Sequence, residues 1–187
     1  MKQLPQSFFG RDTVKVARDL LGKIISVNGF TARIVETEAY GTDPASHAFK
    51  RTERSALMYD TYGHVYIYLI YGMYHCINFT TEKDNPGAVL IRAVEPLNKI
   101  KALKQRRKNA QATELCSGPG KLCQALGIDR TMNGLKLGRD VKVYDDNYPV
   151  KKISSSSRIG IKDAQELPWR FYISDNEYVS RRYNKNP

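Results

Sequence analysis

The polar and apolar positions change period along the chain, and the changes mark its elements. In residues 12–22 (DTVKVARDLLG), Val14, Ala17, Leu20 and Leu21 recur at helical spacing, with Asp12 placed to cap the start and Gly22 just past the end. The pattern predicts an amphipathic helix. KIISV and FTARIVETEAY follow as β-branched and aromatic runs joined by Asn28 and Gly29, a pair that accepts the positive φ of a two-residue hairpin turn. Polar residues dominate from Gly41 to Gly63, which predicts a long surface loop, and such loops in small domains often carry function. Three strand-like runs come next, VYIYLIY, HCINFTT and AVLIRAV, separated by Gly72 and by the turn-prone EKDNPG, and they predict a central antiparallel sheet. In residues 97–108, Leu97, Ile100 and Leu103 form one stripe with the lysines and arginines largely off it, a basic amphipathic helix for which Pro96 is a suitable start. A shorter helix is predicted from near Pro119 to Gly127. Strand signals return in VKVYDD, RIGI and WRFYI, while the serine run 154–157 reads as a loop.

These elements describe a mixed α/β (α+β) chain, a curved antiparallel sheet flanked by helices, and 187 residues suit a single domain spanning 1–187. There is no internal repeat. The start, MKQLPQSFF, lacks the apolar run of a signal peptide, and no apolar stretch approaches the roughly 18 residues of a membrane span. Cys76, Cys116 and Cys123 are an odd, sparse set that fits a reducing compartment better than a disulfide framework. A soluble cytoplasmic protein, monomeric and with no membrane partner, is the expectation. Charge then changes the picture: 30 Lys and Arg against 19 Asp and Glu give a formal +11, which points to a polyanionic partner or, more blandly, to a basic solvated surface.

Candidate chemistry lies on the strands. Alternation puts Glu36, Glu38 and Tyr40 on one face of the run 33–40. Two carboxylates there belong either to a solvated face near a strand end or to a site. Arg92, inside the otherwise apolar AVLIRAV, needs an acidic partner or a water channel, and Glu38 would serve. Such a pair is either a structural ion pair or a holder of a water poised for attack. Tyr66, Tyr68 and Ile70 share a face, and Tyr40 with Tyr68 would flank a planar ligand unless they simply pack a core. Tyr71 precedes Gly72 where the chain must turn, so its ring can project as a wedge. Asn78, between Ile77 and Phe79, needs its amide satisfied in a strand and is placed to read a base edge. No CxxC or HxxxH spacing supports a metal site, and His75 and Cys76 face opposite ways on their strand. The glycines of SGPGKL, between Cys116 and Cys123, offer main-chain N–H groups to a phosphate or merely start a helix.

RIVETEAY, the DPASHAF loop, YIYLIYGMYHCIN, VLIRAVEP and ELCSGPGKLCQALGI, in order between FFGRDTVKVARDLLGK and RFYI, together resemble the alkyladenine (3-methyladenine) DNA glycosylase family. The resemblance covers nearly the whole chain. It implies an enzyme acting on damaged purines in double-stranded DNA without metal or organic cofactor, and it implies the residue roles. On this resemblance Glu38 would be the general base that activates water, and Arg92 would help to hold that water. Tyr40, His47 and Tyr68 would line the pocket for the flipped base, Asn78 would guard against guanine, and Tyr71 would fill the gap left in the duplex. A backbone carbonyl within residues 158–161 would complete the water site. Two other classes stand beside this one. A noncatalytic nucleic-acid binding module explains the aromatics and the charge, and an enzyme of free nucleosides explains the pocket but not the charge.

Overall fold

The computed structural model describes residues 1–180, so residues 181–187 of the expected 1–187 unit lie outside the described residues. In chain order the elements are β1 (Lys2–Gln3), α1 (Gln6–Phe9), α2 (Thr13–Asp19), β2 (Ile24–Val27), β3 (Phe30–Tyr40), α3 (Ala56–Asp60), β4 (Val65–Ile70), β5 (Tyr74–Thr81), β6 (Gly87–Pro96), α4 (Ile100–Arg106), α5 (Pro119–Leu126), β7 (Val141–Asp145), β8 (Ile153–Ser156) and β9 (Arg170–Ile173). The strands form one curled antiparallel sheet in the order β1-β7-β2-β3-β6-β5-β4, with helices against it.

Local chemistry sets the boundaries. Asp12 caps α2 by accepting from the Lys15 N–H at 2.8 Å, and Gly127, at φ 66°, ends α5 in the left-handed conformation. Asn28 and Gly29, at φ 52° and 74°, make the tight turn between β2 and β3.

The long strand β3 organises the sheet. Its first half pairs with β2, its second half pairs with β9 on the same side, and β6 runs along the other side throughout. The register between β3 and β6 slips at Ile34/Glu36 and again at Glu36/Thr37, so Val35 and Arg92 are the unpaired extra residues of a bulge. A bulge bends its strand and re-aims a side chain. One face of the sheet is the apolar core, where Ile34, Ile77, Phe79, Val89 and Ile91 meet Val16, Ala17 and Leu20 around α2 and Leu122 and Leu126 of α5, all buried. Each such aliphatic or aromatic side chain contributes roughly 1.5–3 kcal/mol on burial. The other face carries a smaller cluster, Ala48, Met58, Tyr66 and Ala88, beneath the segment that follows β3.

Four expectations are corrected. Residues 41–63 are not a long surface loop throughout: Ser46 Oγ caps a 3-10 turn at His47–Phe49, and α3 follows. The serine run is strand β8, paired with β9, because its hydroxyls find partners: Ser154 Oγ meets Ser174 Oγ at 2.7 Å and Ser156 Oγ accepts from Arg170 at 3.0 Å. RIGI is no strand, since Arg158 is drawn towards Asp43 and Gly160 sits at φ 80°. The helix expected from residue 97 begins only at Ile100. Pro96 still pairs with Ala32 and the Leu97 N–H donates to Thr31 O, so the strand outlasts the helical pattern and Leu97 is left exposed.

Candidate active site

The register assembles the site in one transverse row. Tyr66 of β4 lies opposite Asn78 of β5, Asn78 opposite Leu90 of β6, Leu90 opposite Glu38 of β3, and Glu38 opposite Arg170 of β9. Residues directly opposite in antiparallel strands share a face. Five strands therefore bring to one surface residues that are far apart in sequence.

Glu36 and Glu38 are both fully buried, so neither lies on a solvated strand end. Arg92 bridges them, donating from Nε to Glu36 Oε1 at 3.0 Å and from Nη1 to Glu38 Oε2 at 3.1 Å. Glu36 also accepts from Arg170 Nε at 2.7 Å and from the Ser180 N–H at 2.6 Å. Burial pushes its carboxyl up, but the Arg92 and Arg170 guanidinium groups and the Ser180 amide outweigh that and hold it below the usual carboxylate range. Glu38 accepts from Arg92, from the Tyr40 hydroxyl at 2.8 Å on Oε2, and from the Ile159 N–H at 2.7 Å on Oε1. Segment 158–161 thus reaches Glu38 through an amide.

A cavity of about 250 Å³ opens on this face, lined by Tyr40, His47, Tyr66, Tyr68, Tyr71, Asn78 and Arg92 among others. Glu38 lies just behind its wall, and its three partners, Tyr40, Arg92 and Ile159, are all wall residues. Burial and the neighbouring Glu38 charge keep the Tyr40 phenol protonated, well above the usual range, and burial does the same for Tyr68. His47 Nδ1 shares a hydrogen bond of 2.8 Å with the Tyr66 hydroxyl, and its ring meets Tyr68 edge-on at 4.8 Å between centroids. Burial, helped by the positive charge of Arg54, lowers the His47 pKa to about 4, so the imidazole is neutral at pH 7. Asn78 is locked from behind, its amide donating to Tyr66 O at 3.0 Å and Cys76 O at 3.2 Å.

Tyr71 sits at the tip of the β4–β5 hairpin with φ 51°, followed by Gly72 at φ 68°, and is 87% exposed beside the cavity. A tyrosine held in the left-handed region costs roughly 1–2 kcal/mol relative to ordinary backbone. Left-handed backbone of this kind clusters at functional sites. SGPGKL opens α5, and its Pro119 also lines the cavity.

The residues given roles by the resemblance, Glu38, Arg92, Tyr40, His47, Tyr68, Asn78 and Tyr71, each line this one cavity or lie directly behind it, whereas Glu36 is set back behind Arg92 and the glycines of SGPGKL do not line it. Sequence reasoning missed Tyr66 as a partner of His47, Arg54 behind Tyr68, the Arg170 clamp on Glu36 and the Arg158–Asp43 pair. Arg170, between Trp169 and Phe171, carries the signal that exposed Arg92, a guanidinium among apolar neighbours, whereas Arg158 follows four serines and carries none. Among the described residues no three His, Cys, Asp or Glu side chains gather as a metal site, and no helix is long and apolar enough to cross a membrane. All three cysteines are buried free thiols, with Cys76 pushed up to about 11 by burial.

The site is a cavity walled by tyrosines, with a bridged carboxylate pair behind it and an exposed aromatic at its rim. The model of the methylpurine-DNA glycosylase family matches residues 7–177. A Clostridium novyi protein provisionally named a 3-methyladenine DNA glycosylase is 45% identical, the match covering 97% of this chain and 100% of that one. A Rhizobium etli protein of the same provisional name is 49% identical over 95% of this chain and 89% of its own length. A Methanocella arvoryzae protein, again so named, is 46% identical over 97% and 98%. The chain belongs to the methylpurine-DNA glycosylase family, DNA-repair enzymes that act on N-glycosyl bonds.

Proposed function

We propose that this protein flips a damaged purine out of duplex DNA and hydrolyses its N-glycosidic bond with a water activated by Glu38, leaving an abasic site. The observation that carries the reading is the coordination of Glu38. A carboxylate oxygen has two accepting directions. On Oε2 both are taken, by Tyr40 and Arg92, whereas among the described residues Oε1 holds only the Ile159 amide and keeps one direction for a water. Arg92 neutralises the buried charge and is itself a cavity wall, so it orients that water.

The bond electrons between C1′ and the purine nitrogen leave with the base, and the sugar becomes oxocarbenium-like. The water oxygen bonds to C1′ and its proton passes to Oε1, from which it returns to solvent. A methylated purine that carries positive charge departs neutral and needs no proton, which agrees with a neutral His47. Such a base also gains more than a normal one from stacking on Tyr40 and Tyr68. Asn78, with both amide protons engaged, is a rigid edge that disfavours the 2-amino group of an undamaged guanine, a cost that a cationic 7-methylguanine offsets by stacking on Tyr40 and Tyr68. Tyr71 enters the stack where the nucleotide has left. No lysine amine lines the cavity among the described residues, which supports water as the nucleophile and no strand cleavage.

A panel of duplexes, each with one defined lesion, tests the reading by measuring released base and intact abasic strand. Methylated purines are the expected substrates, with hypoxanthine as the deaminated member of the panel. Strand cleavage without added base, or no release from any methylated purine, contradicts it.

A further inference from the structure

Two loops that line the cavity, residues 41–46 and 157–161, are tied together by one buried guanidinium. Arg158 is only 4% exposed although its segment has no regular structure. It forks onto Asp43, reaching Oδ1 at 2.6 Å and Oδ2 at 3.0 Å, and donates to Ala39 O at 3.1 Å. Its guanidinium carbon stands 4.7 Å from the ring centroid of Tyr40 and 5.3 Å from that of Trp169. Its Nε is buried without a hydrogen-bond partner among the described residues. A buried ion pair stabilises a fold no better than apolar side chains of the same volume, so stability alone does not explain one here. What the forked geometry supplies is position.

The position it sets is that of Glu38. The residue after Arg158 is Ile159, whose N–H holds Glu38 Oε1, and the ring that Arg158 covers is that of Tyr40, whose hydroxyl holds Oε2. Two of the three donors on the carboxylate are thus fixed by one side chain. We propose that Arg158, held by Asp43, is a positioning residue for Glu38, locking the Ile159 amide and the Tyr40 ring so that one direction on Oε1 stays aimed at the water. This rests on the reading of Glu38 as the base. Lysine cannot replace it, because a single ammonium neither forks onto Asp43 nor covers Tyr40 as a planar cation.

Two readouts on the full chain test this, one of which does not depend on excision. In proton–nitrogen spectra the Ile159 amide should be shifted downfield and exchange slowly in the wild type. In R158K and in the milder D43N it should move upfield and exchange at least about tenfold faster, since the loop is then free to open. Single-turnover excision from a duplex with one 7-methylguanine, at saturating enzyme, should slow roughly 10- to 100-fold in R158K and less in D43N, the scale expected when a reacting group is displaced by about 1 Å. Binding of the same duplex, followed by fluorescence anisotropy, should change by less than about threefold because the aromatic walls remain. At saturation only folded, bound enzyme is counted, so a lower Tm by itself leaves this rate constant unchanged. An Ile159 amide unaffected in both variants, or wild-type rate constants in both, would overturn the assignment. A wild-type protein inert towards the duplex would count against the base reading instead, and the amide signal would still decide whether the clamp exists.

Discussion

A carboxylate with no exposed surface stays charged only while its partners hold the charge, and Glu36 and Glu38 share one such partner in Arg92. Arg92→Ala should therefore cost roughly 3–5 kcal/mol, seen as a Tm lower by about 10 °C, and should slow excision as well. Unchanged melting and unchanged excision would show that the pair does not exist in solution. The low pKa of Glu36 gives the sign of the acid dependence: its stabilising contribution is complete above the ordinary carboxylate pKa of 4.5 and is lost as pH falls below it. His47 acts in the same direction at higher pH. The unfolded chain takes up a proton below about 6.5 while the folded imidazole resists it down to about 4, so stability should fall across that interval. A proton titration of the His47 ring checks this, and a midpoint near 6.5 would place the ring in solvent. At this scale Arg92 was legible because a lone guanidinium in an apolar strand demands a carboxylate, and strand alternation offered Glu38, 54 residues away, on one face of another core strand. Arg170 makes the same demand and Arg158, after four serines, makes none in the sequence; their partners Glu36 and Asp43 lie 134 and 115 residues away, and no local pattern connects them.

Elements decide where those residues point. Period-2 alternation put Glu38 with Tyr40, and Tyr68 with Tyr66, on the faces that meet at the cavity, and the turn signal at Gly72 put Tyr71 at a hairpin tip. The bulge between β3 and β6 was not legible, since a one-residue slip depends on the partner strand and leaves no mark on the hydrophobic pattern. The serine strand β8 was hidden for a similar reason: its hydroxyls are satisfied by Ser174 and Arg170, distant residues that turn a loop-like composition into a ladder. The left-handed tip of the β4–β5 hairpin leads to a prediction. Tyr71→Ala should shift the flipping equilibrium back towards the stacked base, most for lesions in strong pairs, because nothing then fills the gap. A fluorescent base analogue beside the lesion, followed by stopped flow, reports this directly. Full flipping in the variant would remove the wedge role, whereas Tyr68→Ala should weaken lesions by roughly 1–3 kcal/mol according to how well they stack.

For the whole molecule, the sheet builds the pocket and the charge brings the polyanion to it. A formal +11 was legible from composition, and it requires binding to undamaged duplex to weaken steeply with salt. The slope of log K against log[salt] should be the same for the wild type and for Tyr71→Ala, since phosphates are met by lysines and arginines. A changed slope would mean that Tyr71 organises the backbone contacts rather than the stack. Binding of this kind is shared by any basic nucleic-acid module, so it does not separate catalysis from capture. Glu38→Gln does, because the amide fills the same space beside Tyr40, Arg92 and Ile159 but cannot take a proton from water. Single-turnover release of 7-methylguanine from a duplex should fall by several orders of magnitude in Glu38→Gln while affinity for that duplex is retained. Near-normal release would contradict Glu38 as the base.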